Sequence, residues 1–133
     1  MSFFRRKSSI KGEGKEGVEE QYAKLIETGS IFSGKVHKSV EIQSNYIAFK
    51  HFIDAAALAA SHPSELGADK SKGAAMKAYG AAYKAGELAY DRGYSELALI
   101  SFKDALNASK EFDLDKELTD KAVSAISKIQ LRK

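Results

Sequence analysis

The chain has 133 residues, of which 44% are apolar and 29% charged, which is enough for one compact domain with its own hydrophobic core. It contains no cysteine, and this excludes disulfides, a thiolate nucleophile and a cysteine-ligated zinc site. The net charge is +3 at pH 7, and no apolar run reaches the roughly 20 residues that a membrane-spanning helix needs. We therefore expect a soluble, cytoplasmic protein without a secretory signal.

The first segment, residues 1–14, is basic and contains serine and glycine, so it is predicted to be flexible. Its positive charges are Arg5, Arg6, Lys7 and Lys11. Such a segment attracts nucleic acid or an acidic membrane surface without sequence specificity. The simpler interpretation is that these charges only keep a small domain soluble.

Residues 15–133 are predicted to form a single all-helical domain. A first helix covers about 15–29 and ends at Gly29, and residues 30–34 form a turn. The second helix covers about 35–61, where His62 and Pro63 end it. Its length raises the prospect of a break near Gln43 and Ser44.

Three further helices complete the domain. The connection at 63–73 is polar and glycine-containing, and the third helix is predicted over 74–91. A turn at Gly93 leads into a fourth helix over about 95–111, and a fifth covers 116–131. No segment alternates between apolar and polar residues as a strand would. The sequence therefore predicts an all-α fold of about five helices.

Part of the second helix is repeated in the fourth. When residues 47–56 are laid over residues 97–106, four identical pairs align: Ala48 with Ala98, Phe52 with Phe102, Asp54 with Asp104, and Ala55 with Ala105. This pattern predicts two helical hairpins with the fifth helix covering the exposed end of the second. Alanine-rich helices also match by chance, and that alternative stays open.

Small residues and one aromatic follow a characteristic spacing at Gly86, Gly93, Ala98, Phe102 and Ala105. This spacing resembles the tetratricopeptide repeat over about residues 79–111. The resemblance implies antiparallel helical hairpins stacked as a short right-handed array or bundle. The last three helices are also similar to the three-helix MIT domain, which binds short helical tails of membrane-remodelling proteins. Either resemblance implies a hairpin that grips a peptide.

The tetratricopeptide-like register also implies a set of ligand-contacting positions: Tyr83, Lys84, Glu87, Tyr90 and Asp91. Tyrosine and lysine there suit a helical or extended peptide that carries an acidic group. The alternative is that these tyrosines are core aromatics with their hydroxyls at the rim.

We expect from these features a small adaptor that binds a segment of a partner protein. Self-association is left open. The alternative function is a structural or nucleic-acid-associated protein that binds through its basic termini.

Catalytic patterns are missing from the sequence. His37, His51 and His62 are too dispersed for a metal site, and His51 with Asp54 is most simply an exposed hydrogen bond. No nucleophile-elbow, Walker or dinucleotide pattern occurs. We therefore expect no enzyme, no cofactor and no metal ion.

Overall fold

The computed structural model describes residues 14–34 and 37–132. Within them the chain forms five α-helices: α1 (Gly14–Ser33), α2 (Glu41–Ser61), α3 (Ala68–Asp91), α4 (Ser95–Glu111) and α5 (Lys116–Arg132). A single 3₁₀ turn, Lys38–Val40, precedes α2. No strand occurs in this part of the chain, and the predicted all-α class is confirmed.

Each helix packs against its neighbour in the chain, so that α2, α3 and α4 each lie between two others. Short connections between packed helices make neighbours antiparallel. The odd-numbered helices α1, α3 and α5 therefore run in the same direction. The result is a five-helix bundle. The predicted flexible segment falls outside the described residues, except for Gly14, with which α1 begins.

The predicted end of α1 at Gly29 is wrong, because the helix continues to Ser33. Gly29 is buried, and a Cβ placed on it would lie 2.6 Å from the ring of Phe52 in α2. The glycine makes room for an aromatic ring and does not stop the helix. The predicted start of α2 near residue 35 is also wrong, since α2 begins at Glu41.

The predicted start of α3 near residue 74 is wrong as well, because the helix begins at Ala68. Gly67 precedes it with φ at +86°, a backbone conformation that glycine adopts easily. Ser71, one of the polar residues that suggested a loop, is buried, and its hydroxyl donates a 3.0 Å hydrogen bond to the carbonyl of Ala56 in α2. The local composition could not indicate this hydrogen bond, because its acceptor lies in another helix.

Alanine side chains form most of the core. Those that are completely buried come from α2 to α5: Ala48, Ala55, Ala56, Ala74, Ala75, Ala78, Ala82, Ala85, Ala89, Ala98, Ala105 and Ala122. Small side chains let helix axes approach closely, and the remaining gaps must be filled by a few large ones. Phe52 and Phe102 do this, with exposed fractions of 3% and 4%.

The two phenylalanines occupy equivalent places. Phe52 of α2 lies over Gly29 of α1, and Phe102 of α4 lies over Gly86 of α3, where an added Cβ would be 2.7 Å from the ring. The alanines that flank both rings in the sequence repeat are completely buried. The hairpins α1–α2 and α3–α4 therefore share one packing scheme.

A pair of tyrosines extends this equivalence. Tyr22 precedes Gly29 by two helical turns, and Tyr79 precedes Gly86 by the same distance. The hydroxyl of Tyr22 donates to the carbonyl of Lys70 in α3 at 2.9 Å, and that of Tyr79 donates to the carbonyl of Leu118 in α5 at 2.7 Å. Each hairpin thus attaches its first helix to the helix that follows the hairpin.

The turns that follow α3 and α4 are closed by the same backbone hydrogen-bond pattern. Gly93 has φ at +83°, and the next amide, that of Tyr94, donates to the carbonyl of Ala89 at 2.8 Å. Asp113 has φ at +54°, and the amide of Leu114 donates to the carbonyl of Ser109 at 2.8 Å. This backbone pattern satisfies carbonyls at a helix end, and it normally uses glycine.

Candidate functional site

A groove of about 830 Å³ lies between the exposed sides of α3 and α5. Its α3 wall includes every residue of the predicted ligand-contacting set: Tyr83, Lys84, Glu87, Tyr90 and Asp91. Its α5 wall carries Lys121 and Lys128, and apolar atoms of Leu88, Phe102, Ala125 and Ile129 also line it. The structure thus brings the five predicted residues to one surface.

Aromatic contacts hold the two walls in register. Beyond the hydrogen bond from Tyr79 to α5, the ammonium of Lys121 lies 4.7 Å from the centre of the Tyr83 ring. Two turns further along both helices, the ammonium of Lys128 lies 5.7 Å from the centre of the Tyr90 ring. Tyr83 and Tyr90 are two turns apart on α3, as Lys121 and Lys128 are on α5. This match confirms that the walls run parallel.

Tyr83 belongs to the core as well as to the groove. Its half-buried ring meets Phe102 edge-on with centroids 4.9 Å apart, and it stacks on Tyr79 at 5.7 Å. Burial raises the pKa of the Tyr83 hydroxyl, and the nearby carboxylate of Glu87 raises it further. The alternative interpretation, a core aromatic with its hydroxyl at the rim, therefore describes part of what Tyr83 does.

The charges on the two walls differ in sign. Glu87 and Asp91 are exposed on the last turns of α3, whereas the exposed charges facing them from α5 are Lys121 and Lys128. Lys84 is directed towards α2, where its ammonium lies 4.0 Å from the carboxylate of Glu41. A ligand in this groove would meet negative charge on one flank and positive charge on the other.

Arg5, Arg6, Lys7 and Lys11 fall outside the described residues. His51 and Asp54 do not form the hydrogen bond that the sequence suggested. Instead, Nδ1 of His51 lies 3.0 Å from the carbonyl oxygen of Ile47, and the ring stacks on Phe32 with centroids 6.0 Å apart.

No group of three or more histidine, aspartate or glutamate side chains within the described residues could hold a metal ion. None of the described helices combines the length and the apolar composition that crossing a bilayer requires.

The α5 wall is the part of the site that sequence reasoning missed. The sequence analysis assigns neither Lys121 nor Lys128 to the peptide-binding surface. A usable signal was their seven-residue separation, which equals that of Tyr83 and Tyr90. The equal spacing indicates facing residues only once α3 and α5 are known to pack in parallel.

Comparisons with models of protein families, with curated proteins and with solved structures found no match to this chain.

Proposed function

We propose that the protein is a non-enzymatic interaction module whose α3–α5 groove binds a segment of a partner protein in the cytoplasm. One observation carries the proposal. The five positions that a tetratricopeptide-like register assigns to the ligand line a single groove, opposite two lysines of α5. The equivalent Gly–Phe packing of the two hairpins supports the tetratricopeptide-like interpretation over the MIT-like one, since it gives the first hairpin a matching role.

The occupant that fits best is an amphipathic helix. Its apolar stripe would cover the apolar atoms of Leu88, Ala125 and Ile129 between the walls. A basic flank would face Glu87 on α3 and an acidic flank would face Lys121 on α5, because opposite charges at a rim steer and orient a partner. A helix laid in a groove in this way is a recurrent mode of peptide recognition.

The test is a capture experiment with the intact chain as bait. Lys121→Glu combined with Lys128→Glu reverses the charge of the α5 wall. The matched control is Lys103→Glu combined with Lys110→Glu, which reverses two exposed lysines of α4 that do not line the groove. We expect a protein partner that the wild type and the control capture equally and that the α5 variant loses.

Cross-linking tests whether the captured partner binds at the α3–α5 groove. A lysine-reactive cross-linker should join the captured protein to Lys121 or Lys128. Equal capture by all three baits would overturn the proposal, as would cross-links confined to α4.

A further inference from the structure

Four charged side chains at the rims of the α3–α5 groove have no ionic partner among the described residues. Two are acidic and lie on α3, and two are basic and lie on α5: Glu87, Asp91, Lys121 and Lys128. None of the ion pairs in this part of the chain includes any of them. Unpaired charges of opposite sign are therefore available to a ligand along the two rims of one groove.

The two lysines are positioned by aromatic rings and not by carboxylates. The ammonium of Lys121 lies over the Tyr83 ring, and that of Lys128 lies over the Tyr90 ring. A ring face attracts an ammonium through its π-electrons, and the ammonium has three N–H donors. The lysines are seven residues apart, which corresponds to about 10 Å along α5. Two acidic side chains seven residues apart on one face of a partner helix have the same separation.

The acidic rim fixes how such a helix must be turned. Glu87 and Asp91 are one turn apart on α3, so basic side chains four residues apart on the other flank of the partner match them. A partner helix turned end over end would exchange its flanks and bring like charges together, which is unfavourable. The groove therefore accepts a helix of this kind in only one direction.

The ends of α3 and α5 favour one of the two directions. The groove extends to Asp91, the last residue of α3, and to Leu131 in the last turn of α5, whereas Tyr83 and Lys121 begin it beyond the first turns. The C-terminal end of a helix carries partial negative charge. Because α3 and α5 run in the same direction, both negative ends lie at the same end of the groove. The positive N-terminal end of a partner helix is favoured there.

We propose that the α3–α5 groove binds a partner helix that runs antiparallel to α3 and α5 and carries two acidic side chains seven residues apart. Along the partner, the first acidic side chain contacts Lys128 and the second contacts Lys121. Basic side chains on its other flank face Asp91 and then Glu87. The inference rests on the proposed function, because it specifies the segment that the same groove accepts.

The probe is a capped helical peptide of 18 residues with leucines on one stripe, glutamates at positions 4 and 11, and lysines at positions 2 and 6 on the opposite flank. Its retro sequence, the same residues in reverse order, presents the same surface when it runs in the opposite direction. One of the two peptides therefore matches the charges of the groove when antiparallel, and the other when parallel.

NMR of the ¹⁵N-labelled full chain measures the affinity and the direction, with a nitroxide at the N-terminus of each peptide. We expect the tighter-binding peptide to broaden the amides near Asp91 and Leu131. Broadening near Tyr83 and Lys121 in their place would overturn the inference, as would equal affinities of the two peptides. Failure of both peptides to bind would also overturn it, while the charge-reversal capture experiment would still decide the proposed function.

A control peptide tests the spacing. One glutamate of the tighter-binding peptide is moved three residues towards the other on the same flank, which keeps the composition and the net charge. We expect binding to weaken by about threefold to fivefold, because one lysine loses its partner. Lys121→Gln combined with Lys128→Gln should abolish this difference, and Lys103→Gln combined with Lys110→Gln on α4 should preserve it. Equal binding of the two peptides to the wild type would overturn the inference.

Discussion

The ring of Phe102 occupies the space that a side chain at Gly86 would need. A Cβ on Gly86 would lie 2.7 to 2.9 Å from three atoms of that ring, which is closer than carbon atoms pack without displacement. The same relationship joins Phe52 to Gly29. Each hairpin therefore depends on the absence of a side chain in one helix and the presence of a large ring in the next.

Alanine at these glycines should destabilise the fold. For Gly86→Ala and Gly29→Ala we expect a loss of about 1–3 kcal/mol in the free energy of unfolding, because an overpacked core must shift its rings or its backbone. Urea denaturation measures the loss. The control is Gly73→Ala in α3, because Gly73 is exposed and an added Cβ there would meet nothing within 4 Å. This change should gain about 0.4–1 kcal/mol.

The origin of that loss can be checked with a double-mutant cycle. Combining Gly86→Ala with Phe102→Leu should give a smaller loss than the sum of the single changes, since leucine leaves the aromatic space free. Additive losses would show that steric conflict with Phe102 is not the cause.

Truncation of either ring should be severe and nearly equal in the two hairpins. We expect Phe102→Ala and Phe52→Ala each to cost about 3–5 kcal/mol, from lost burial and from the cavity that remains. Thermal and chemical denaturation would measure both. Ile100→Ala on the exposed side of α4 is the control, and it should stay within about 0.5 kcal/mol of the wild type. A loss confined to Phe102 would argue against equivalent hairpins.

Tyr79 should make stability fall in strong alkali. Burial, with a further contribution from Tyr83, raises its pKa from 10.0 to about 12. The unfolded chain releases this proton at lower pH than the folded chain does, so the contribution is complete below pH 10 and is lost between about pH 10 and 12. Denaturation at several pH values should show a downward slope in this window that is smaller in Tyr79→Phe.

Tyr79→Phe also tests the hydrogen bond that joins α3 to α5. At neutral pH, Tyr79→Phe should cost about 0.5–1.5 kcal/mol, because the carbonyl of Leu118 loses its donor. Tyr22→Phe is the comparison. The hydroxyl of Tyr22 donates to the carbonyl of Lys70 at a more exposed place, so removing it should lower the free energy of unfolding by less. An equal or larger loss at Tyr22 would contradict this account.

Asp104 should lower stability at neutral pH. Its Oδ2 is buried without a hydrogen-bond partner, and burial raises the pKa of the carboxyl, although Lys50 opposes the shift. A raised pKa means that stability is lost as pH rises through it. Asp104→Asn should therefore gain about 0.5–1 kcal/mol at pH 7, a part of the 1–3 kcal/mol that an unsatisfied buried group costs.

The exposed counterpart of Asp104 in the repeat provides the control. Asp54→Asn should have little effect, since Asp54 lies on the surface. The gain from Asp104→Asn should also shrink as pH falls, because the raised pKa lets the wild-type carboxyl take up its proton before an ordinary aspartate does. A gain that does not change with pH would contradict an electrostatic cause.

The features that could be predicted from the sequence are those with local causes. The bounds of α4 follow from the turn at Gly93, and the burial of Phe102 follows from its spacing between alanines. The predicted end of α1 at Gly29 is wrong because a glycine that ends a helix and a glycine that lies under a ring look alike in sequence. The predicted loop that contains Ser71 is wrong for a similar reason, since the hydrogen-bond partner of Ser71, Ala56, lies in another helix. The α5 wall of the α3–α5 groove depends on the same kind of distant pairing.

The position of α5 decides whether the α3–α5 groove exists at all. Ala122, Ile126 and Ile129 bury one side of this helix, and no described helix covers the other. Helices held on one side open more readily than those in the middle of a fold, and amide hydrogen exchange detects such openings. If α5 detaches while α1 to α4 stay folded, the groove loses a wall without the protein losing its core. A ligand in the groove would then slow amide hydrogen exchange in α5 and leave exchange in the alanine-rich core unchanged.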